Sequence, residues 1–353
     1  MRRTHGNTGM RRTALMVALF VSVFICVPGT SAIAETTFNR DVAKMINNVT
    51  RAELEPVVND LSGETEAMIG GSLYTILTRA SDSGEPIDMA EQYVFEQLDS
   101  YGLDSIAYQN YPGVGAVDPG SNVIGQINGT TKASEIVVVG AHLDDRPWGG
   151  DIAPGADDNA SGVSAVLYLA RSFAGKTFER TIRFVLFGSE ENAPWTTKEF
   201  GSGYYANQAM QAGENIVAMI NADALAYNVS SETRRIVVMH TRRPKRDKGG
   251  GDAAIVSIWQ DAIETYEITG LQPEPRALSK RLSDHGSFWR WGFNAVMLIE
   301  EVGSNGNPNW HQITDTVSTF NWPYYEQVTK SLVGLAAHQA GITRTPRKID
   351  LRR

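Results

Sequence analysis

Residues 140 to 162 read GAHLDDRPWGGDIAPGADDNASG, a run crowded with side chains that can hold a divalent cation without sulfur. His142 stands two residues before Asp144, and a Gly-rich turn then carries the adjacent carboxylates Asp157 and Asp158. Glu190, Glu191, Asp223 and His311 follow farther along the chain. Imidazole and carboxylate are the ligand types of zinc and of similar borderline cations. Two His with three or more carboxylates suit one or two such ions, because one carboxylate can bridge a pair about 3.5–4 Å apart. The chemistry this implies is hydrolytic. A cation drops the pKa of its bound water toward about 7 and polarises a carbonyl or phosphoryl oxygen.

What must position these groups is a set of buried strands. His142 follows EIVVVGA, and Asp158 lies in the loop beyond it. Glu190 and Glu191 follow TIRFVLFGS, Asp223 follows IVAMINA, and His311 sits in the loop after AVMLI. Short β-branched apolar runs of this kind read as strands buried on both faces. In a parallel sheet such strand ends share one rim, so groups distant in sequence can converge there. Singly, each residue also fits a structural role. A lone His can be a hydrogen-bonded core residue, Asp144 a cap, Asp157-Asp158 turn and N-cap residues, Glu190-Glu191 solvated, and Asp223 a turn cap. Five coincidences on one rim are harder to sustain than one metal site.

Periodicity places helices over 37–63, 84–103, 161–174, 204–211, 253–266, 286–291 and 323–340. Strands are expected near 106–109, 122–127, 135–140, 181–187, 216–221, 235–239 and 295–299. From residue 135 onward strands alternate with helices, which predicts an α/β fold: a three-layer α/β/α sandwich around a mostly parallel, mixed central sheet. The basic run over 242–251 reads as a solvated loop, and the tail over 344–353 as a flexible basic end.

Residues 1–34 have the form of a secretory signal peptide, with Arg2, Arg3, Arg11 and Arg12 before an apolar stretch and Ala32-Ile33-Ala34 as the cleavage signal. The expectation is an exported protein, secreted or periplasmic, with a catalytic domain over 35–343 in which 35–60 forms a candidate N-terminal helical extension or propeptide. Cys26, the one cysteine, lies inside the leader. The remainder therefore has no disulfide, no Cys zinc ligand and no Cys nucleophile. The chain carries a formal charge of −8, and its leader contributes four Arg and no acid. An acidic exported protein is a poor partner for nucleic acid or for an anionic membrane surface. Oligomeric state is left open.

In order along the chain, HLDD, PGADDNASG, GSEE, INADA, LSDHGSFW and NWHQITDT resemble the signatures of the co-catalytic di-zinc exopeptidases, the family of bacterial leucyl aminopeptidases, glutamate carboxypeptidase II and the glutaminyl cyclases. The resemblance covers roughly residues 60 to 340. It implies a zinc-exopeptidase-like fold and two zinc ions, with cobalt or manganese as alternatives. It implies that His142 and Asp223 hold one ion, Glu191 and His311 the other, and that Asp158 bridges them. Glu190 becomes the general base, and Asp144 fixes the tautomer of His142 through its other N–H. A cis peptide bond is expected after Asp158. Asp284 and His285 take a supporting or pocket-lining role.

The sequence departs from the family at two places. The leucyl aminopeptidases have a Tyr shortly before SDH, where this chain offers Lys280; Lys280, a backbone N–H or Tyr227 are the candidates for the second electrophile. Trp310 precedes the last His where a smaller or tyrosyl residue is usual, which implies a changed pocket. The favoured activity is removal of N-terminal residues from peptides, with Glu300 or Glu301 meeting the substrate amine. The same scaffold also supports a carboxypeptidase or dipeptidase, for which Arg146, Lys280 or Arg281 could receive a C-terminal carboxylate. Glutaminyl cyclase activity and a metal-stabilised binding domain are the remaining readings. The cyclases work with a single zinc and alter the ligands of the other, whereas His142 and Asp223 are both present here.

Overall fold

The computed structural model describes residues 36–113, 119–147, 150, 152–192, 198–199, 201–229, 235–278, 282–303 and 305–343. The leader, the basic tail, Lys280 and Arg281 lie outside these residues. In chain order the elements are α1 (Arg40–Asn47), α2 (Arg51–Leu61), β1 (Ala67–Ile69), β2 (Ser72–Tyr74), α3 (Glu85–Ser100), β3 (Ser105–Tyr111), β4 (Gly120–Ile127), β5 (Lys132–His142), α4 (Gly162–Phe173) and β6 (Arg180–Phe187). Then come α5 (Gly201–Gln211), β7 (Asn215–Ala222), β8 (Ile236–Arg242), α6 (Gly251–Thr265), β9 (Gln272–Leu278), α7 (His285–Arg290), β10 (Ala295–Glu300) and α8 (Trp322–Gln339).

Eight strands form one mixed sheet in the order β3-β4-β6-β5-β7-β10-β8-β9. Its centre, β6-β5-β7-β10, is parallel. β4 joins β6 antiparallel on one side, and β8 joins β10 antiparallel on the other. β5 shows why the centre must be covered on both faces. Val137, Val139 and Ala141 point into the larger core with α4, α6 and α8, whereas Ile136 and Val138 join a second cluster with Tyr205, Ala209 and Phe288 of α5 and α7. Each fully buried aliphatic or aromatic side chain contributes about 1.5–3 kcal/mol relative to exposure. The expected α/β sandwich with a mostly parallel sheet is therefore what forms.

Two features were not expected. β9 reads QPEPRAL, and its two prolines mask a strand; they are tolerated because β9 is the edge of the sheet. β1 and β2 make a hairpin across Gly70-Gly71, both at positive φ, where a two-residue turn matches strand twist. The first helices are built into the main core through Val42, Met45, Ile46, Leu54, Val58 and Leu61. Tyr168 Oη of α4 donates to Met45 O, and Ser164 Oγ to Leu54 O. The run over 242–251 is not wholly solvated: Arg242 is half-buried and its guanidinium holds Asp252 at 2.7 Å, while Asp247 is buried. Among the described residues no helix is long and apolar enough to cross a membrane.

Candidate metal centre

The C-terminal ends of β5, β6, β7 and β10 bring the candidate groups to one rim. His142 ends β5, and Asp223 follows β7 directly. Asp158 sits in a single wide helical turn over Ala156–Ser161, broken at Asp158 and Asn159, whose dihedrals are not helical. The Asp158-Asn159 peptide bond is cis, as the sequence led us to expect. Asn159 then ties this turn to the strand beside it. Its Nδ2 donates to Ala222 O at 3.0 Å, and its Oδ1 accepts from Gly162 N and Ala224 N. One buried amide thus sets the spacing between Asp158 and Asp223. Gly162 is required there, since an added Cβ would lie 2.5 Å from Ala222 O.

Donor atoms converge in three overlapping groups, two of which share Asp158, while His142, Glu190 and Glu191 make the third. Of the two that share Asp158, His142, Asp158 and Asp223 form one, and Asp158, Glu191 and His311 the other, with each group's ligand atoms within 4.8 Å of one another. His142 Nε2 is 3.3 Å from Asp158 Oδ1 and 3.4 Å from Asp223 Oδ1. His311 Nε2 is 3.2 Å from Asp158 Oδ2 and 2.9 Å from Glu191 Oε1. The two oxygens of Asp158 thus face different imidazoles. Donors placed tetrahedrally about 2.0–2.1 Å from a zinc ion lie roughly 3.3 Å apart. The observed spacings and the all-N/O donor set therefore fit a zinc-like cation.

Considering the protein groups alone, the imidazoles carry the positive charge that the carboxylates demand. Burial alone would lower His142, but the charge of Asp223 and contacts with Asp144 and Asp158 raise it well above its ordinary value. His311 is raised to about 9, its burial outweighed by Asp158 and Glu191. Burial would raise Asp158, yet the two His residues hold its carboxyl below the usual range. Glu191 is pushed up to about 7 by burial and the charge of Asp158. Glu190, buried at the same rim, is raised well above its ordinary value by burial first and then by neighbouring carboxylates. A site this short of positive charge is built for a cation.

Three of the four non-glycine residues at positive φ among the described residues adjoin or belong to this site: Ser189 before Glu190, Ala224 after Asp223, and His311 itself. Backbone in that region is uncommon and persists where the surroundings enforce it.

Asp144 acts through its main chain as well as its carboxylate. The carboxylate lies at ion-pair distance from His142, Oδ1 3.7 Å from Nδ1, rather than in a hydrogen bond to it. Instead Nδ1–H donates to the main-chain carbonyl of Asp144 at 3.0 Å, which leaves Nε2 free to ligate. The carboxylate has another task. Its two oxygens accept the backbone N–H groups of Glu190 and Glu191, each at 3.0 Å, and Oδ2 also accepts from Ser81 Oγ at 2.6 Å. Asp144 therefore aims both glutamates through its carboxylate and fixes the His142 ring through its main-chain carbonyl.

Glu300 has a partner within the protein. It reaches the cavity wall but is buried, and its Oε2 accepts from Tyr227 N at 2.7 Å. Burial and the adjacent Asp157 carboxylate raise it well above its ordinary value. Tyr227 does not line the cavity, nor do Asp284 and His285, which lie fully buried behind it. Burial pushes Asp284 up to about 7 and His285 well below its ordinary value. Trp310 stands at the mouth, half exposed, its ring centroid 4.0 Å from that of His311. Lys280 lies outside the described residues.

Two contributors, Asp315 and His240, were missed, and Arg146, expected only as a carboxylate receptor, has a further contact. Asp315 accepts the N–H groups of Asp157 and Asp158 and so holds the bridging turn; its signal was the TDT of NWHQITDT. Arg146 lines the cavity and donates from Nη1 to Glu191 O at 3.1 Å. His240, on β8, lines the same cavity; a single His inside VVMHTR gave no sign of it. That cavity has a volume of about 800 Å³ and opens over Glu190 and both donor groups.

The sequence profile of peptidase family M28 matches residues 122–336. A protein of Arthroderma otae named "Probable leucine aminopeptidase" is 29% identical over 215 residues, covering 58% of this chain and 54% of that protein. The chain thus spans about half the length of the curated relatives it matches. LapB from Legionella pneumophila superposes with a TM-score of 0.69 at 20% identity, over 87% of this chain and 77% of that one. A glutaminyl cyclase from Macrostomum lignano gives 0.67 at 18% identity, over 88% and 96% of the two chains.

Proposed function

The chain belongs to peptidase family M28, and from that premise we propose that it is a zinc aminopeptidase that releases N-terminal residues from peptides. One observation carries this reading. Two donor groups share the carboxylate of Asp158, and Glu190, which neighbours His142 and Glu191 but is in neither of the groups that contain Asp158, opens onto the same cavity. Asp158, His142 and Asp223 would hold one zinc ion, and Asp158, Glu191 and His311 the other. When bound, the ions supply Lewis acidity, lowering the pKa of water and polarising the scissile carbonyl.

The chain's own groups do the rest. The carboxylate of Glu190 takes a proton from the attacking water and returns it to the leaving amide nitrogen. Asp144 keeps Glu190 and Glu191 pointing apart, so that one moves protons while the other ligates. The cavity wall of Met297, Ile299 and Val302 accepts the side chain of the departing residue and excludes water. Cleavage after Ala34 and export complete the reading; N-terminal sequencing of the mature protein should start at Glu35.

A dipeptidase or carboxypeptidase is the second reading, favoured by one feature: the guanidinium of Arg146, exposed at the cavity rim, can receive a C-terminal carboxylate. One panel separates them. Aminoacyl 4-nitroanilides and N-blocked peptides with free C-termini are incubated with the protein, with and without chelator. Turnover of the anilides, lost with chelator and regained with zinc, is the expected result. Turnover of the blocked set alone would overturn the aminopeptidase reading.

A further inference from the structure

The cavity grades from an exposed apolar mouth to a buried floor. Trp310, Leu282 and Val302 are exposed at its opening, whereas Met297 and His240 are almost fully buried. Those two stand directly opposite each other across β8 and β10. His240 is 2% exposed, and its Nδ1 is buried with no hydrogen-bond partner among the described residues. The imidazole thus sits at the floor opposite Met297, with Arg276, Asp223 and His285 as its charged or titratable neighbours.

We propose that His240 determines specificity: it selects N-terminal residues whose side chain has a long apolar body and a neutral hydrogen-bonding tip, tyrosine above all, over the hydrocarbon of the same shape. This rests on the aminopeptidase reading above. The apolar walls take the ring, and the imidazole meets the hydroxyl. A buried polar group left without a partner is costly, so a site that supplies half of a hydrogen bond discriminates against a ligand lacking the other half. The charge of the tip is constrained as well. Arg276 of β9 stands beside His240 in register, and burial first, then this guanidinium, pushes the imidazole down to about 4, against the charge of Asp223. A neutral ring facing a cavity with a cation behind it gives no counter-charge to a Lys or Arg side chain. The mostly apolar floor is an equally poor place for a carboxylate.

The test uses the full zinc-loaded protein with tyrosyl and phenylalanyl 4-nitroanilides. The expected native ratio of kcat/KM, Tyr over Phe, is about tenfold or more. In His240→Leu the loss should fall on the tyrosyl substrate and the ratio should collapse toward one; in His240→Gln, which keeps a hydrogen-bonding tip, part of the ratio should return. Calorimetric binding of L-tyrosine and L-phenylalanine to the same proteins should show the same preference and the same collapse. A native ratio near one, or a ratio unchanged in His240→Leu, would overturn the proposal. If no anilide is cleaved, the aminopeptidase reading fails on its own. The His240 assignment then stands on a tyrosine preference in binding that the Leu variant loses, and falls if the two amino acids bind equally.

Discussion

Glu190 and Glu191 are neighbours with different surroundings. Glu191 Oε1 is 2.9 Å from His311 Nε2, within a donor group, while Glu190 faces the cavity beside His142. Glu190→Gln keeps the shape and removes the base, so hydrolysis should fall by about 10²–10⁴-fold while zinc content, read by atomic emission, stays at the native level. Loss of metal together with activity would make Glu190 a ligand instead. His311 gives a second expectation. With the protein groups alone its value is about 9, and a ligating imidazole must be neutral. Below pH 9 the ring is therefore protonated before metal arrives and must release that proton. Zinc affinity should fall as pH drops from about 9 toward 6, with proton uptake by the buffer measurable from titrations in buffers of different ionisation enthalpy. A flat affinity across that range would contradict the charge balance described here. All of these residue types were readable from the sequence, because strand ends concentrate them. The partner of each was not: Asp144 and Glu190 are joined through backbone N–H groups, which leave no trace in residue identity.

At the scale of elements the site hangs on two polar bolts. Asn159 locks the bridging turn to β7, and Arg79 locks it to the opposite side. Arg79 is fully buried; its guanidinium donates to Leu143 O after β5, to Leu61 O at the end of α2, and to Pro154 O and Gly155 O just before the turn. Asp145 faces it, with a carboxylate oxygen 3.6 Å from Nη1. Removing one partner of a buried pair leaves the other uncompensated, so Arg79→Met should cost about 3–5 kcal/mol in denaturant unfolding. It should also weaken zinc binding, since the loop that presents Asp158 loses its anchors. A loss under about 1 kcal/mol would show that the carbonyls find water instead. Nothing in TILTRAS marks Arg79 as buried, because a lone Arg after an apolar pair reads as exposed. The strands at the centre of the sheet were legible for the opposite reason: EIVVVG and TIRFVLF are apolar on both faces. β9 and the reversal of β8 were not, since edge prolines and strand direction carry no periodic signal.

At the scale of the molecule the question is what residues 36–61 are for. A propeptide must leave the fold intact when removed. Here α1 and α2 place six apolar side chains, from Val42 to Leu61, in the main core, and their carbonyls accept hydrogen bonds from α4. α1 also packs on α8, the last helix, so the two ends of the described chain close over the same face of the sheet. Six side chains at about 1.5–3 kcal/mol each amount to a loss comparable with the whole stability of an ordinary domain. Arg79 adds to it, for its bond to Leu61 O links α2 to the metal-binding turn. A chain beginning at residue 62 should therefore fail to unfold cooperatively in a thermal scan and should bind zinc poorly, whereas a chain beginning at Glu35 should match the native protein in both. A truncated chain with native Tm and full zinc content would instead make the two helices a detachable extension.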